Sequence, residues 1–166
     1  MSELTQSLSQ RFPGAVLEVV ESRGETTAVV EPERAKSLLR YLKDERGFNY
    51  LVDVSSAHWP EEGRIDVVYL VRNLKTREQL RVRAALPVEE PVIESVADVW
   101  RTADWLEREV YDLMGITFAG HPDLRRILMP EEFEGHPLRK EYPMEGDDEW
   151  RNYLPVSEAG HDDREP

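Results

Sequence analysis

The sequence predicts an α+β fold: two layers, a mixed or antiparallel sheet of about five strands with helices on one face, followed by an extended C-terminal arm. Three observations predict it. Strand-like runs come in pairs separated by single helical segments, which argues against a doubly wound parallel sheet. No Gly-rich phosphate loop follows any of them. Prolines and acidic residues then crowd the last fifth of the chain. At 166 residues, with 40% hydrophobic content, the chain holds one domain with a real core plus appendages.

The elements follow in order. Leu4, Leu8 and Phe12 recur at helical spacing behind Ser2, a candidate N-cap, and Pro13-Gly14 ends the run. Residues 15–20 and 26–30 are apolar and β-branched, and Ser22-Arg23-Gly24 between them has turn composition, which predicts a hairpin. Pro32 suits a first helical turn. Ala35, Leu38, Leu39 and Leu42 then share a face before Gly47. Residues 48–54, 65–71 and 79–86 are three further strands, the last two joined as a hairpin around 73–78. Residues 100–115 form the best-defined helix, with Thr102 or Asp104 as cap, Leu106, Val110, Leu113 and Met114 as apolar face, and Gly115 as stop. Its polar side reads as a surface, with Arg108 and Asp112 pairing across one turn.

From about Met129 onward the prolines favour extended chain. Residues 131–166 carry 12 acidic and 4 basic residues, the profile of a disordered tail. Yet Phe133, Leu138, Tyr142, Met144, Trp150, Tyr153 and Leu154 are spaced along it, so we expect an arm that docks onto a neighbour. The expected division is a body over 1–115, a partner-binding arm over 116–159 and a flexible acidic terminus over 160–166. The body is expected to fold without anything beyond Met129.

Function classes fall away on composition. A net charge of -13 argues against a phosphate-tracking nucleic-acid surface. The absence of cysteine removes disulfides, thiolate catalysis and Cys-ligated clusters or zinc. No run approaches the roughly 20 apolar residues that span a bilayer. Two Gly-His-Pro tripeptides, at 120–122 and 135–137, are each followed by Leu and two cations, Arg125-Arg126 and Arg139-Lys140. His121 and His136, with Asp123 and Glu134 near, suggest a metal site, but their spacing matches no compact ligand pair. Glu107 and Glu109 suggest an acid/base pair, but positions two apart on a helix point about 200° from one another. One is expected in a structural ion pair and the other in solvent or at an interface. His58 reads as loop packing, and His161 falls in the loose end. The four cations need anionic partners, either this chain's own carboxylates or those across a subunit boundary.

The run from Glu107 to Pro130, EREVYDLMGITFAGHPDLRRILMP, and the run from Glu134 to Pro143, EGHPLRKEYP, resemble the signature of the C-type, 30 kDa subunit family of NADH:quinone oxidoreductase, respiratory complex I. The sharp part covers about residues 98–143; Glu141 stands where that family more often has Asp, which keeps the charge. The resemblance implies the stand-alone form of a peripheral-arm subunit, holding no flavin, cluster, metal or quinone ligand of its own and no catalytic residue. FMN and iron–sulfur clusters are expected in partner subunits. The implied partners are the quinone-site (D-type) subunit and cluster-bearing neighbours, with attachment to the cytoplasmic side of the bacterial plasma membrane only through the complex. Residues expected at the partner boundary are Glu107, Arg108, Asp112, His121, Asp123, Arg125, Arg126, Phe133, His136, Arg139, Lys140 and Tyr142. Two other readings stand beside this one: the equivalent subunit of a membrane-bound hydrogenase or ferredoxin-fed quinone reductase, and a free-standing soluble enzyme using Glu107, Asp112 and His121.

Overall fold

The computed structural model describes residues 3–143. The N-cap candidate Ser2 and the arm anchors Met144, Trp150, Tyr153 and Leu154 lie outside the described residues, as do His161 and the acidic terminus. Helix α1 (Glu3–Arg11) leads into strands β1 (Val16–Ser22) and β2 (Glu25–Val30), then helix α2 (Pro32–Asp44). Strands β3 (Tyr50–Trp59), β4 (Arg64–Arg72) and β5 (Gln79–Pro87) follow, and β6 (Val92–Glu94), helix α3 (Ala103–Met114) and β7 (Thr117–Ala119) complete the order.

The five long strands form one sheet in the order β1-β2-β5-β4-β3. All neighbours are antiparallel except β2 and β5, which run parallel, so the sheet is mixed, in agreement with the predicted α+β class. The β1–β2 turn is the two-residue Arg23-Gly24, both at positive φ, a geometry whose twist matches the flanking strands. Strict alternation fixes the buried face: Ile65, Val67, Tyr69 and Val71 on β4 stand beside Leu80, Val82, Ala84 and Leu86 on β5. Against them α2 buries Ala35, Leu38, Leu39 and Leu42, each leucine contributing about 1.5–3 kcal/mol on transfer from water. Phe12 reaches over from the end of α1 to meet Tyr41 edge to face at 5.4 Å.

Three features differ from expectation. β3 runs five residues beyond the predicted Val54, because Ser55 to Trp59 pair with Val68 back to Arg64 although Ser55, Ser56 and Ala57 carry no strand-like apolar signal. His58 therefore sits in a strand and is buried, which corrects its reading as loop packing. The body also continues past the boundary expected at 115/116. β7 pairs in parallel with the short β6, and Ile116 and Phe118 are buried in the core.

Candidate functional site

The residues singled out by sequence collect around α3. After β7 the chain turns at Gly120 and travels along this helix from its first turn to its last, with no regular secondary structure of its own. At the start of that path, Asp123 N–H donates to Nδ1 of His121 (3.0 Å). The imidazole proton therefore resides on Nε2, which donates to the carbonyl oxygen of Asp104 (3.1 Å). In the middle, Arg108 donates from Nε to the carbonyl of Arg125 (3.2 Å) and from Nη2 to that of Arg126 (3.3 Å). One turn on, Asp112 gathers the strand beside it: Oδ2 accepts the N–H groups of Ile127, Leu128 and Met129, and Oδ1 accepts Arg126 Nη1 at 2.6 Å.

The last turn of a helix leaves four carbonyls without intrahelical donors. Here the Gly115 N–H takes the first, that of Tyr111, and residues 136–139 take the other three. His136 Nδ1 donates to the carbonyl of Asp112 (2.9 Å), the N–H of Leu138 to that of Leu113 (3.0 Å), and Arg139 Nε to that of Met114 (2.8 Å), with Nη2 on that of Gly115 (3.5 Å). A guanidinium here also answers the negative end of the helix dipole. The two Gly-His-Pro repeats thus serve opposite ends of one helix. Their histidines contact carbonyls eight residues apart, about 12 Å along the axis, so they do not share a metal.

Gly115 is where this arrangement leaves no choice of residue. It closes α3 in the left-handed region at φ 70°, and a Cβ on it would overlap the imidazole of His136. Farther along, Phe133 stacks on Tyr142 with centroids 5.8 Å apart and takes the Arg126 guanidinium over its ring at 5.6 Å; Arg126 Nη2 also donates to the carbonyl of Gly135 (2.9 Å). The N–H of Lys140 donates to His58 Nδ1 (3.2 Å), and its Nζ lies 5.9 Å over Trp59, tying the end of the path to β3.

Glu107 occupies the inward side of α3, fully buried. Ser95 Oγ–H donates to its Oε2 (2.6 Å) and the N–H of Val96 to its Oε1 (2.7 Å), while His121 Nε2 stands 3.9 Å away. Burial pushes its pKa up to about 7 against the opposing pull of these two hydrogen bonds and of Lys36, with Asp104 adding to the rise. For Asp112, burial also favours the neutral acid, but the three backbone donors and Arg126 outweigh it and hold the carboxyl below its usual range. Burial, with Arg139 and Arg126 near, holds His136 below the usual imidazole value.

These contacts revise several expectations. Arg108 and Asp112 do not pair with each other; each reaches sideways into the chain running beside the helix, and both are buried. The Arg108 and Asp112 part of the side read as a solvated surface is therefore covered. Glu107 is held by a hydroxyl and a backbone N–H, not by a cation. Glu109 faces outward, away from Glu107, as the spacing required. Of the twelve residues expected at a partner boundary, Asp123, Arg125 and Lys140 are exposed, the first two paired with one another at 2.9 Å; the other nine are committed inside the chain. Residues 136–139 supply donors to the last carbonyls of α3, so the body and the chain beyond Met129 are not independent. Sequence reasoning missed Ser95 and the short β6–β7 sheet, because three-residue strands carry no periodicity to detect.

The model of the respiratory-chain NADH dehydrogenase 30 kDa subunit matches residues 28–148, a span containing β3, β4, β5, α2, α3 and every contact just described. The chain belongs to this family. It is 45% identical over 142 residues to the C subunit of NADH-quinone oxidoreductase from Geotalea uraniireducens, covering 85% of this chain and 87% of that protein. The like-named protein of Geobacter sulfurreducens is 43% identical, with 85% and 88% covered. Among solved structures, a trypsin-resistant fragment of Nqo5 superposes with a TM-score of 0.64 at 33% identity, over 74% of this chain and all of that one. A chain of an archaeal membrane-bound sulfane sulfur reductase shares the fold alone, with a TM-score of 0.76 at 21% identity, 99% of this chain and 96% of that one being covered. The buried carboxylates of α3 thus lie in one subunit of the NADH-quinone oxidoreductase of respiratory electron transport.

Proposed function

We propose that the chain works as a non-catalytic assembly and docking subunit in the peripheral arm of a proton-pumping NADH:quinone oxidoreductase. It holds no cofactor; FMN and iron–sulfur clusters belong to its partners. It docks on the quinone-site (D-type) subunit, next to cluster-bearing neighbours, and meets the cytoplasmic side of the bacterial plasma membrane only through the complex. Asp123, Arg125 and Lys140, with the arm beyond residue 143, face the partner; Glu107, Arg108, Asp112, His121, Arg126, Phe133, His136, Arg139 and Tyr142 hold the presenting surface in shape.

The observation that carries this reading is the use to which the reactive-looking side chains are put. Both nitrogens of His121, both oxygens of Glu107 and Asp112, and the guanidinium groups of Arg108, Arg126 and Arg139 bond to backbone, to the Ser95 hydroxyl or to each other. No group of three or more His, Cys, Asp or Glu with metal-holding geometry occurs among the described residues, and no described helix is long and apolar enough to cross a membrane. The sulfane sulfur reductase likeness extends the same architecture to another respiratory machine, but the 45% and 43% identities favour the NADH-fed one.

The test is removal and replacement of the gene in its host. NADH-driven quinone reduction should fall with the amount of intact complex, while turnover per assembled complex stays constant. Normal assembly with slowed turnover would assign the chain a direct catalytic part. A visible flavin or cluster band in the purified chain would end the cofactor-free reading.

A further inference from the structure

Three large apolar side chains stand exposed around α3: Trp105 at 61%, and Leu128 and Leu138 each at 59%. Trp105 lies on the first turn of the helix. Leu128 is fastened beside the third turn through its N–H on Asp112 Oδ2 (2.7 Å), and Leu138 at the last turn through its N–H on the Leu113 carbonyl (3.0 Å). None of them hangs on loose chain. The indole of Trp105 covers the Arg108 guanidinium at 5.1 Å, and that guanidinium is itself fixed by the carbonyls of Arg125 and Arg126. Aromatic and apolar groups carried on backbone already held in place lose less freedom when a partner covers them than groups on loose chain, which is the character of interface anchors.

Glu109 lies on the same side of α3 as Trp105. It follows Trp105 by four residues and precedes Leu113 by four, so the three share one side of the helix. Its side chain is exposed and makes no hydrogen bond or ion pair among the described residues. A carboxylate in such a setting dictates what can cover it, because burying it without a cation is strongly unfavourable. The chain's own residues 144–166 hold 8 acidic and 2 basic residues and would add like charge. A second copy laid face to face about a twofold axis would bring Glu109 toward Glu109.

We infer that this outer side of α3 is a docking surface for a sister subunit, whose apolar patch covers Trp105, Leu128 and Leu138 and whose Arg or Lys pairs with Glu109. The inference rests on the docking role proposed above and assigns it a surface distinct from the twelve residues expected from sequence.

The experiment uses the intact complex, with the tagged chain carrying a photo-crosslinking amino acid at position 128 or 138. Both positions should crosslink to the same sister subunit. Glu109→Lys should lower the fraction of chain retained in the complex by about tenfold or more, Glu109→Gln by less, with the melting temperature of the isolated chain unchanged. If Glu109→Lys unfolds the chain, the crosslinks in the otherwise unaltered protein still decide. A chain that co-purifies with the complex yet crosslinks at neither position, or only to itself or a second copy, overturns the surface and leaves the docking role standing. A chain absent from the complex overturns both.

Discussion

One oxygen of Asp112 lies 2.6 Å from Nη1 of Arg126, while the other takes the N–H groups of Ile127, Leu128 and Met129 in succession. The carboxylate thus orders four residues of irregular chain, and the cation is the lesser of its two attachments. Asp112→Ala should cost about 3–5 kcal/mol, because it strands a half-buried guanidinium and three backbone donors together. Arg126→Ala should cost about 1–3 kcal/mol, since the three N–H groups still neutralise the remaining carboxylate. Urea denaturation checks the order, and equal costs would contradict it.

Gly115→Ala meets two penalties, a left-handed backbone and the imidazole of His136. We expect a loss of about 2–4 kcal/mol. Adding His136→Ala should return part of it, since the collision vanishes and only the backbone cost stays. A double-mutant cycle with no coupling would separate the two residues.

The shift at Glu107 sets a pH dependence whose sign follows from its direction. The folded-state pKa is raised from 4.5 to about 7, so the unfolded chain ionises first. The stability contributed by neutral Glu107 is complete below about pH 4.5 and is lost as pH rises through about 7, a swing of about 3 kcal/mol. Asp112 works in the opposite sense: its contribution is present above 3.8 and fades as pH falls toward its lowered folded value. Glu107→Gln should remove the decline between about pH 5 and 7.5 in thermal melts while leaving the acid limb intact. A wild-type melting temperature that rises steadily across that interval would refute the assignment.

Truncation separates the two parts of the C-terminal third. Ending the chain after Pro143 keeps every described contact and should leave the melting temperature within a few degrees. Ending it after Met129 removes His136, Leu138 and Arg139 from the carbonyls of α3, along with the buried Phe133, and should destabilise the fold by about 3 kcal/mol or more. Circular dichroism of both truncated chains makes the comparison.

The elements legible in the amino-acid order are those whose signal is local. The leucines of α2 declare one face at helical spacing, β5 alternates residue by residue, and Pro13-Gly14, Arg23-Gly24 and Gly115 place stops and turns, because periodicity and backbone restriction act over a few neighbouring residues. The run around α3 also carried the family resemblance. The partners of the charged groups, by contrast, are set by the fold. Arg108 and Asp112 sit four apart and read as a surface pair, yet the backbone donors and acceptors of residues 125–129 offer each of them a buried alternative. Likewise, Glu107 finds Ser95 twelve residues back, and the two histidines of an apparent repeat separate to the two ends of a helix. A charged side chain bonds to whatever the fold brings within about 3 Å, and no spacing along the chain specifies what that will be.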